Sequence, residues 1–243
     1  MGGKTLMEKT EEKKRAAFES HKADLVRSFR EARAAGRRVR LGKRTSNLFR
    51  RRRADDSQTL DVDGFNTIIA VDPAARTADV GGMTPYDAVV AATLRHGLMP
   101  AVVPELKSIT VGGAVTGGGI ESSSFRFGFV HETVREMEIL TASGEVILCR
   151  PDNAHSDLFF GFANSYGTLG YALRLHIQLV PAGPYVHLTH DRFESPDAFF
   201  DALATTCHDE RARDGDASFV DGVVFNEGEM YRTVGRSCES ADS

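Results

Sequence analysis

Residues 104–124 read PELKSITVGGAVTGGGIESSS, and this stretch decides how the rest of the chain is interpreted. From Thr110 to Ser124 it holds five glycines and a set of serines and threonines. Glycine lets a backbone approach a ligand closely and adopt a positive φ. Successive exposed N–H groups form an anion-binding nest, and hydroxyl groups add donors for phosphate oxygens. The stretch therefore predicts a site for a phosphate-bearing ligand, and a tight glycine turn with solvated serines is the alternative interpretation.

Neither common phosphate-binding motif accounts for these glycines. A Walker loop places a lysine directly after its glycines, and this stretch has none there. The Rossmann fingerprint spaces its glycines differently and needs an acidic residue at the end of a following strand. We therefore expect a phosphate-bearing ligand that is held in neither of these ways.

Two further segments carry groups that suit the same ligand. Residues 42–50 read GKRTSNLFR, a loop with cations, hydroxyls and an amide, which predicts a second wall of the phosphate site. Considered alone, a solvated basic loop is the simpler interpretation. Residues 164–171 read NSYGTLGY, in which two glycines three apart allow a backbone to lie close to a flat or bulky group. A plain helix-to-strand connection is the alternative there.

Periodicity predicts an α+β chain. Helices are expected at 4–35, 84–96, 156–162 and 196–208. The first should end at Gly36. The second should have Thr84 as its N-cap and Pro85 in its first turn, and the third should have Ser156 as its N-cap. The strands are expected at 37–41, at 68–71 paired with 76–80, in a hairpin over 134–149, at 173–179 with one buried face, and at 185–192, 218–226 and 229–235. Residues 181–184 resemble a linker between two units.

Composition excludes several classes of protein. With 41% hydrophobic and 26% charged residues the chain is globular, and no apolar run is long enough to cross a membrane. The three widely spaced cysteines form no disulfide framework, and no His or Cys spacing suits a metal, so we expect no metal site. These features predict a cytoplasmic protein.

Charge is distributed unevenly along the chain. Residues 1–53 have a net charge of +12 and the remaining residues −16. Such a basic arm can meet nucleic acid or an anionic membrane, dock on the chain's own acidic body, or help to hold an anionic cofactor. Because no aromatic platform accompanies it, we expect no nucleic-acid partner. Peripheral membrane contact through residues 4–35 stays open, although the apolar stripe of that helix is narrow.

Taken together, the three segments resemble a known family. The Pro-Glu-Leu of 104–106, the Thr-Val-Gly-Gly of 110–113, the run 119–124 and the Gly-Thr-Leu-Gly of 167–170 look like the FAD-binding domain of the vanillyl-alcohol oxidase and p-cresol methylhydroxylase superfamily. Within it they are most similar to the 24-dehydrocholesterol reductase (delta-24 sterol reductase) branch.

The resemblance implies a fold of two α+β subdomains that clasp FAD over residues 37–183, after a charged helix at 1–36. Residues 184–243 would form the incomplete start of an α+β substrate domain, since family members continue further, and the chain is expected to be truncated. It implies the following cofactor-binding residues: Arg44, Thr45, Ser46, Asn47, Leu48, Thr110, Val111, Gly112, Gly113, Thr116, Gly117, Gly118, Gly119, Ile120, Glu121, Ser122, Ser123, Ser124, Gly167, Thr168, Gly170, Tyr171 and Ile177.

By the same resemblance, NADPH would reduce the flavin, and a carbon–carbon double bond of a sterol-like, lipophilic substrate would receive the hydride. Some superfamily members attach FAD through a histidine, but residues 42–50 and 104–124 contain no His or Cys, so we expect non-covalent FAD. Glu121 is the candidate proton donor, with a role in capping a turn as the alternative. Two other functions stay open: an alcohol or polyol oxidase of the same fold, and a redox-inactive binding module that uses the basic arm.

Overall fold

The computed structural model describes residues 6–43, 56–212 and 218–241. Its helices are α1 Leu6–Ala34, α2 Tyr86–Thr93, α3 Val111–Gly117, α4 Ser124–Phe127, α5 Ser156–Phe162 and α6 Pro196–Ala212. Its strands are β1 Val39–Leu41, β2 Gln58–Leu60, β3 Ile68–Asp72, β4 Thr77–Gly81, β5 Leu98–Pro100, β6 Val134–Leu140, β7 Val146–Cys149, β8 Tyr171–Pro181, β9 Tyr185–Phe193, β10 Ser218–Asn226 and β11 Glu229–Cys238. The mixture of helices and mainly antiparallel strands confirms the α+β prediction.

The central sheet is built around β8. Its strand order is β3-β4-β8-β6-β7, and β5 pairs with the far end of β8. Leu175 of β8 lies opposite Val80 on one side and Met137 on the other. All three side chains are buried, as the alternating apolar pattern of this strand requires. The two predicted hairpins, β3–β4 and β6–β7, are both present.

Helix α1 packs on this body through its apolar stripe. Phe18, Leu25 and Phe29 are buried and share a cluster with Leu60 and Phe65. The Phe18 and Phe65 rings meet edge to face with their centroids 5.3 Å apart. The narrow stripe is therefore covered by the chain's own core. As predicted, the helix ends beside Gly36, where the backbone has a φ of +67°.

The basic side chains of α1 bind the acidic body. Arg15 Nη2 lies 3.1 Å from Asp79 Oδ2, and Lys22 Nζ lies 2.8 Å from Glu138 Oε2. Lys14 Nζ donates to the Ile68 carbonyl at 3.0 Å. Of the partners considered for the basic arm, the structure shows the chain's own acidic body, on which α1 docks. Within the ranges described, no helix combines the length and apolarity that spanning a bilayer requires.

Under α1 lies a buried cation that the sequence pattern did not predict. Alternation in β8 placed Arg174 on an exposed face, but it is only 8% exposed because α1 covers that face as well. Its guanidinium forms ion pairs with Asp79 at 2.6 Å, with Glu138 at 2.8 Å and with Glu136. Both faces of the central part of the sheet are therefore covered.

Three local expectations were wrong. Thr84 is not an N-cap: its hydroxyl donates to the Thr67 carbonyl, and Pro85 takes the N-cap position of α2. The α-helix predicted over 84–96 ends at Thr93, and a 3-10 turn follows it in which Leu94 is exposed. Ser156 is the first residue of α5, and His155 precedes it as N-cap without a side-chain cap bond.

A second sheet follows Pro181. Its order is β10-β11-β9, all antiparallel, and α6 covers one face through Phe199. The opposite face leaves Leu188, Val223 and Phe225 exposed. This sheet joins the first part of the chain where the Val220 N–H donates to the Ser122 carbonyl at 2.8 Å.

Candidate functional site

A cavity of about 710 Å³ lies where three separate segments meet. The first is the β1–β2 pair with the residues beside it, the second is the glycine-rich helix α3, and the third is the loop that leads into β8. The lining residues are Arg38, Val39, Arg40, Leu41, Gly42, Lys43, Ser57, Thr59, Met83, Gly112, Gly113, Thr116, Tyr166, Gly167, Gly170, Tyr171 and Ala172. The size is within the range of small-molecule and cofactor sites.

The β1–β2 wall carries the positive charge of the cavity. The two strands pair in parallel, and Ser57 and Thr59 line the cavity while Leu60 packs under α1. Arg40 Nε donates to Thr59 Oγ1 at 2.9 Å, which fixes this guanidinium along the wall. Among the described lining residues there are three cations and no carboxylate. This balance favours an anionic ligand.

The glycine-rich stretch forms a short helix where we predicted an open nest. Thr110 is the N-cap of α3, and its Oγ1 accepts the Gly113 N–H at 3.2 Å. The Val111 and Gly112 N–H groups donate to the carbonyls of Thr84 and Gly82. These amides already have partners within the protein, so the expectation of exposed N–H donors at this end of the stretch was wrong.

The glycines of α3 serve instead to bring backbones together. A Cβ atom on Gly112 would lie 2.8 Å from the Gly82 carbonyl oxygen, too close for any side chain. Because Gly112 and Gly113 have no side chains, this side of the cavity is plain backbone against which a flat or bulky group can lie. Thr116 stands one turn further along the same wall.

The second half of the stretch turns away from the cavity. After Gly118, which has a φ of +71°, Ser123 is buried and donates to the Ala101 carbonyl at 2.8 Å. Ser124 Oγ accepts the Glu121 N–H at 2.9 Å. Predicted cofactor-binding residues that the structure does not bring to the cavity are Thr110, Val111, Gly117, Gly118, Gly119, Ile120, Glu121, Ser122, Ser123 and Ser124.

Glu121 lies between that turn and the second sheet. Burial raises the pKa of its carboxyl, the negative charges of Glu105 and Asp221 raise it further, and a hydrogen bond from the Glu105 backbone N–H opposes them. This backbone contact fits the turn-capping role that we gave as the alternative to proton donation. Since Glu121 is absent from the cavity lining, its position does not support a catalytic assignment.

The loop before β8 forms the third wall. Gly167 and Gly170 have φ values of +82° and +143°, and a Cβ atom on Gly170 would lie 2.3 Å from the Leu140 carbonyl oxygen. The Tyr166 N–H donates to the Thr116 carbonyl at 3.0 Å, which ties the loop to α3. Tyr171 also lines the cavity.

The remaining predicted residues lie elsewhere. Thr168 is exposed and donates to the Ser165 carbonyl, outside the lining. Ile177 is 3% exposed within the main core and does not reach the cavity. Arg44, Thr45, Ser46, Asn47 and Leu48 fall outside the described residues. No cluster of His, Cys, Asp or Glu suited to a metal ion occurs in the part of the chain that the structure describes.

Sequence reasoning missed two of the three cations of the first wall, Arg38 and Arg40, whereas Lys43 belongs to the loop predicted at 42–50. Both arginines lie in the predicted strand 37–41, where alternation places them on one side. That alternation, combined with the net positive charge of the region, was the signal that could have identified them. Thr59 and Met83 gave no signal of their own.

The observed lining fits a dinucleotide cofactor such as FAD. Its cations and hydroxyls suit a diphosphate, and its glycine walls suit planar rings. The fit rests on the donor set and on the backbone surfaces, which come from three segments far apart in sequence.

Comparisons with known proteins agree with this chemistry. The sequence model of the FAD binding domain family matches residues 15–150. A Delta(24)-sterol reductase from Arabidopsis thaliana is 34% identical over 96 residues, which cover 37% of this chain and 17% of the reductase. The match thus spans about a sixth of the length of that relative.

The family match includes α1 from Arg15 onward, all of β1 to β7, and two of the three cavity walls. Because it takes in more than half of the 243 residues, the chain belongs to the FAD binding domain family.

Proposed function

We propose that this chain binds FAD non-covalently in the cavity between β1–β2, α3 and the 166–172 loop, as the cofactor domain of an oxidoreductase. The main support for this proposal is that one cavity combines a cationic wall with two glycine walls. FAD, when bound, supplies two-electron redox chemistry, and the protein supplies binding and orientation.

The cationic wall would hold the phosphates. Arg38, Arg40 and Lys43 bring three positive charges to one side, and Thr59 keeps the Arg40 guanidinium in place. Charge-assisted hydrogen bonds to phosphate are stronger than neutral ones. Gly112 and Gly113 would leave room for the rest of the cofactor to lie against backbone.

The residue types available support non-covalent attachment. No His or Cys occurs among the described lining residues, nor in 42–50 or 104–124. We therefore expect acid precipitation to release the flavin into solution.

For the reaction, we propose reduction of a carbon–carbon double bond in a lipophilic, sterol-like substrate. The name of the Arabidopsis relative supports a sterol reductase, and the exposed apolar face of the second sheet, with Leu188, Val223 and Phe225, supports a lipophilic substrate. NADPH would supply the two electrons, and the double bond would gain one hydride equivalent and one proton. Consumption of NADPH with a sterol alkene supports this reaction. Production of peroxide from an alcohol would instead indicate an oxidase.

The binding proposal is tested by titrating the purified chain with FAD, FMN and riboflavin. Arg40→Gln removes one charge from the wall, and Arg95→Gln, on an exposed turn outside the lining, is the matched control. We expect Arg40→Gln to weaken FAD binding about 10- to 100-fold, since a charged hydrogen bond contributes about 1.5–3 kcal/mol and every 1.4 kcal/mol is a factor of ten. Riboflavin, which has no phosphate, should bind both variants equally. An equal loss for riboflavin, or no loss for FAD, would contradict the proposed role of this wall.

A further inference from the structure

Tyr166 has a backbone conformation that bulky side chains rarely adopt. Its φ is +51°, and Asn164, two residues earlier, has a φ of +55°. Positive φ is uncommon outside glycine and is costly for a large residue. Such strained positions concentrate at ligand-binding sites, where the surrounding structure holds them in place.

The surrounding structure does hold this loop. The Asn164 N–H donates to the Val115 carbonyl at 3.2 Å, and the Tyr166 N–H donates to the Thr116 carbonyl at 3.0 Å. Both acceptors belong to the last turn of α3, so the strained loop is tied to the glycine-rich wall. Its conformation is therefore coupled to the cavity and is not a feature of a free surface loop.

The Tyr166 ring has no structural role that explains the strain. It is 56% exposed, although it lines the cavity. Within the described ranges, its side chain takes part in no hydrogen bond, ion pair or ring–ring contact. Tyr166 thus places a largely exposed aromatic side chain at the lining of a cavity whose neighbouring walls are bare glycine backbone.

We infer that the Tyr166 ring packs against a planar heteroaromatic ring of the bound cofactor and contributes directly to its affinity. This inference rests on the proposed function, because it requires FAD in the cavity. FAD carries two such rings, isoalloxazine and adenine. Both offer a π face on which a tyrosine can stack.

The test compares the wild-type chain with Tyr166→Leu and Tyr166→Phe. Tyr185→Leu is the matched control, since Tyr185 is 50% exposed and lies in β9, outside the cavity lining. Equilibrium binding of FAD, riboflavin and ADP is measured, together with the fluorescence of bound riboflavin. Circular dichroism checks that every variant is folded.

We expect Tyr166→Leu to weaken FAD binding about tenfold, which corresponds to about 1.4 kcal/mol. Tyr166→Phe should retain the affinity because the ring remains, and Tyr185→Leu should match the wild type. If isoalloxazine is the partner, Tyr166→Leu also weakens riboflavin binding and raises the fluorescence of bound riboflavin. If adenine is the partner, it weakens ADP binding instead.

Unchanged affinity of Tyr166→Leu for all three ligands would overturn the inference while leaving FAD binding by the chain intact. Failure of the wild type to bind FAD would overturn the proposed function, and this inference with it. A loss shared by Tyr166→Phe would also overturn it, because the hydroxyl and not the ring would then be responsible.

Discussion

Replacing Arg174 with methionine should destabilise this protein strongly. The side chain is 9% exposed and forms ion pairs with Asp79, Glu138 and Glu136, beneath helix α1. Methionine fills a similar volume but leaves three carboxylates on the sheet. Asp79 then keeps its ion pair with Arg15 and its hydrogen bond with His176, and Glu138 keeps its ion pair with Lys22. Glu136 keeps the exposed Arg150, 3.9 Å away.

The expected loss follows from the burial of this network. Removing one partner of a buried ion pair costs about 3–5 kcal/mol, because an uncompensated charge is left out of water. In a protein of this size, 1 kcal/mol corresponds to about 2–4 °C in melting temperature. We therefore expect Arg174→Met to lower the melting temperature by about 6–20 °C at pH 7.

The loss should depend on pH in a defined direction. Burial alone would raise the pKa of Asp79, but the hydrogen bond with His176, the charge of Arg174 and the bond from Arg15 together hold it well below its usual range. The pKa of Glu138 is lowered as well, because bonds from Lys22 and Arg174 outweigh its burial. Carboxyls with lowered pKa values stabilise the fold above their unfolded pKa of about 4, and this contribution fades as pH falls through the folded values. The difference in melting temperature between the wild type and Arg174→Met should therefore be largest at pH 7. It should become smaller below about pH 5, because the carboxylates of the variant become protonated there.

Thermal unfolding followed by circular dichroism at pH 7 and pH 4 measures this difference. Arg150→Met is the matched control, since Arg150 also faces Glu136, at 3.9 Å, but is 47% exposed. An exposed pair of this kind contributes about 0–1 kcal/mol. If Arg174→Met melts within a few degrees of wild type at pH 7, or if the gap is the same at pH 4, the buried network does not act as described here.

Three further substitutions probe residues 104–124. Gly112→Ala should cost about 1–3 kcal/mol and weaken FAD binding, because its Cβ would meet the Gly82 carbonyl at 2.8 Å. Gly117→Ala, in the same helix with open space around it, should instead be neutral or stabilise the fold by about 0.5–1 kcal/mol. Chemical denaturation measures the stability of both variants, and equal effects would refute the packing argument. Glu121→Gln should raise the melting temperature at pH 7 and not at pH 4, because the raised pKa of this carboxyl makes its charged form unfavourable only at higher pH. A drop in stability at pH 7 would contradict the inference that the charged form of Glu121 is unfavourable. Loss of NADPH-dependent turnover in an active form of the protein would contradict the turn-capping role of Glu121 and favour proton donation.

Much of the fold could be predicted because local signals agreed with one another. The turn at Asp72, the glycine at 144 and the alternation of β8 each specify a hairpin or strand from a few neighbouring residues. The β10 strand appears with the predicted bounds. These elements depend on turn chemistry and period, which sequence records directly.

The errors arose where distant parts of the chain determine the environment. Arg174 looks like a surface residue until α1 is placed over it, and Thr84 looks like an N-cap until the Thr67 carbonyl is seen to accept its hydroxyl. The helical conformation of residues 111–117 depends on the Thr110 cap and on the contact with Gly82. Glycine content alone does not distinguish that helix from an open loop.

The candidate site shows the same contrast between residues with a local signal and residues whose role depends on distant parts of the chain. The sequence identified Gly112, Gly113, Gly167 and Gly170, whose special backbone needs are visible in composition, and all four line the cavity. It did not identify Arg40 as a member of that lining, because its role depends on the pairing of β1 with a strand about twenty residues later. The resemblance also assigned cofactor contact to Ile177, whose side chain packs in the core and does not line the cavity.

We propose that this chain holds FAD in the cavity between its three walls. The most direct test is an absorption spectrum of the purified protein after incubation with FAD and removal of free ligand by gel filtration, followed by acid precipitation. We predict flavin bands that travel with the protein and pass into the supernatant after acid. A protein that emerges colourless would contradict FAD binding, and flavin that stays in the acid pellet would contradict its non-covalent attachment.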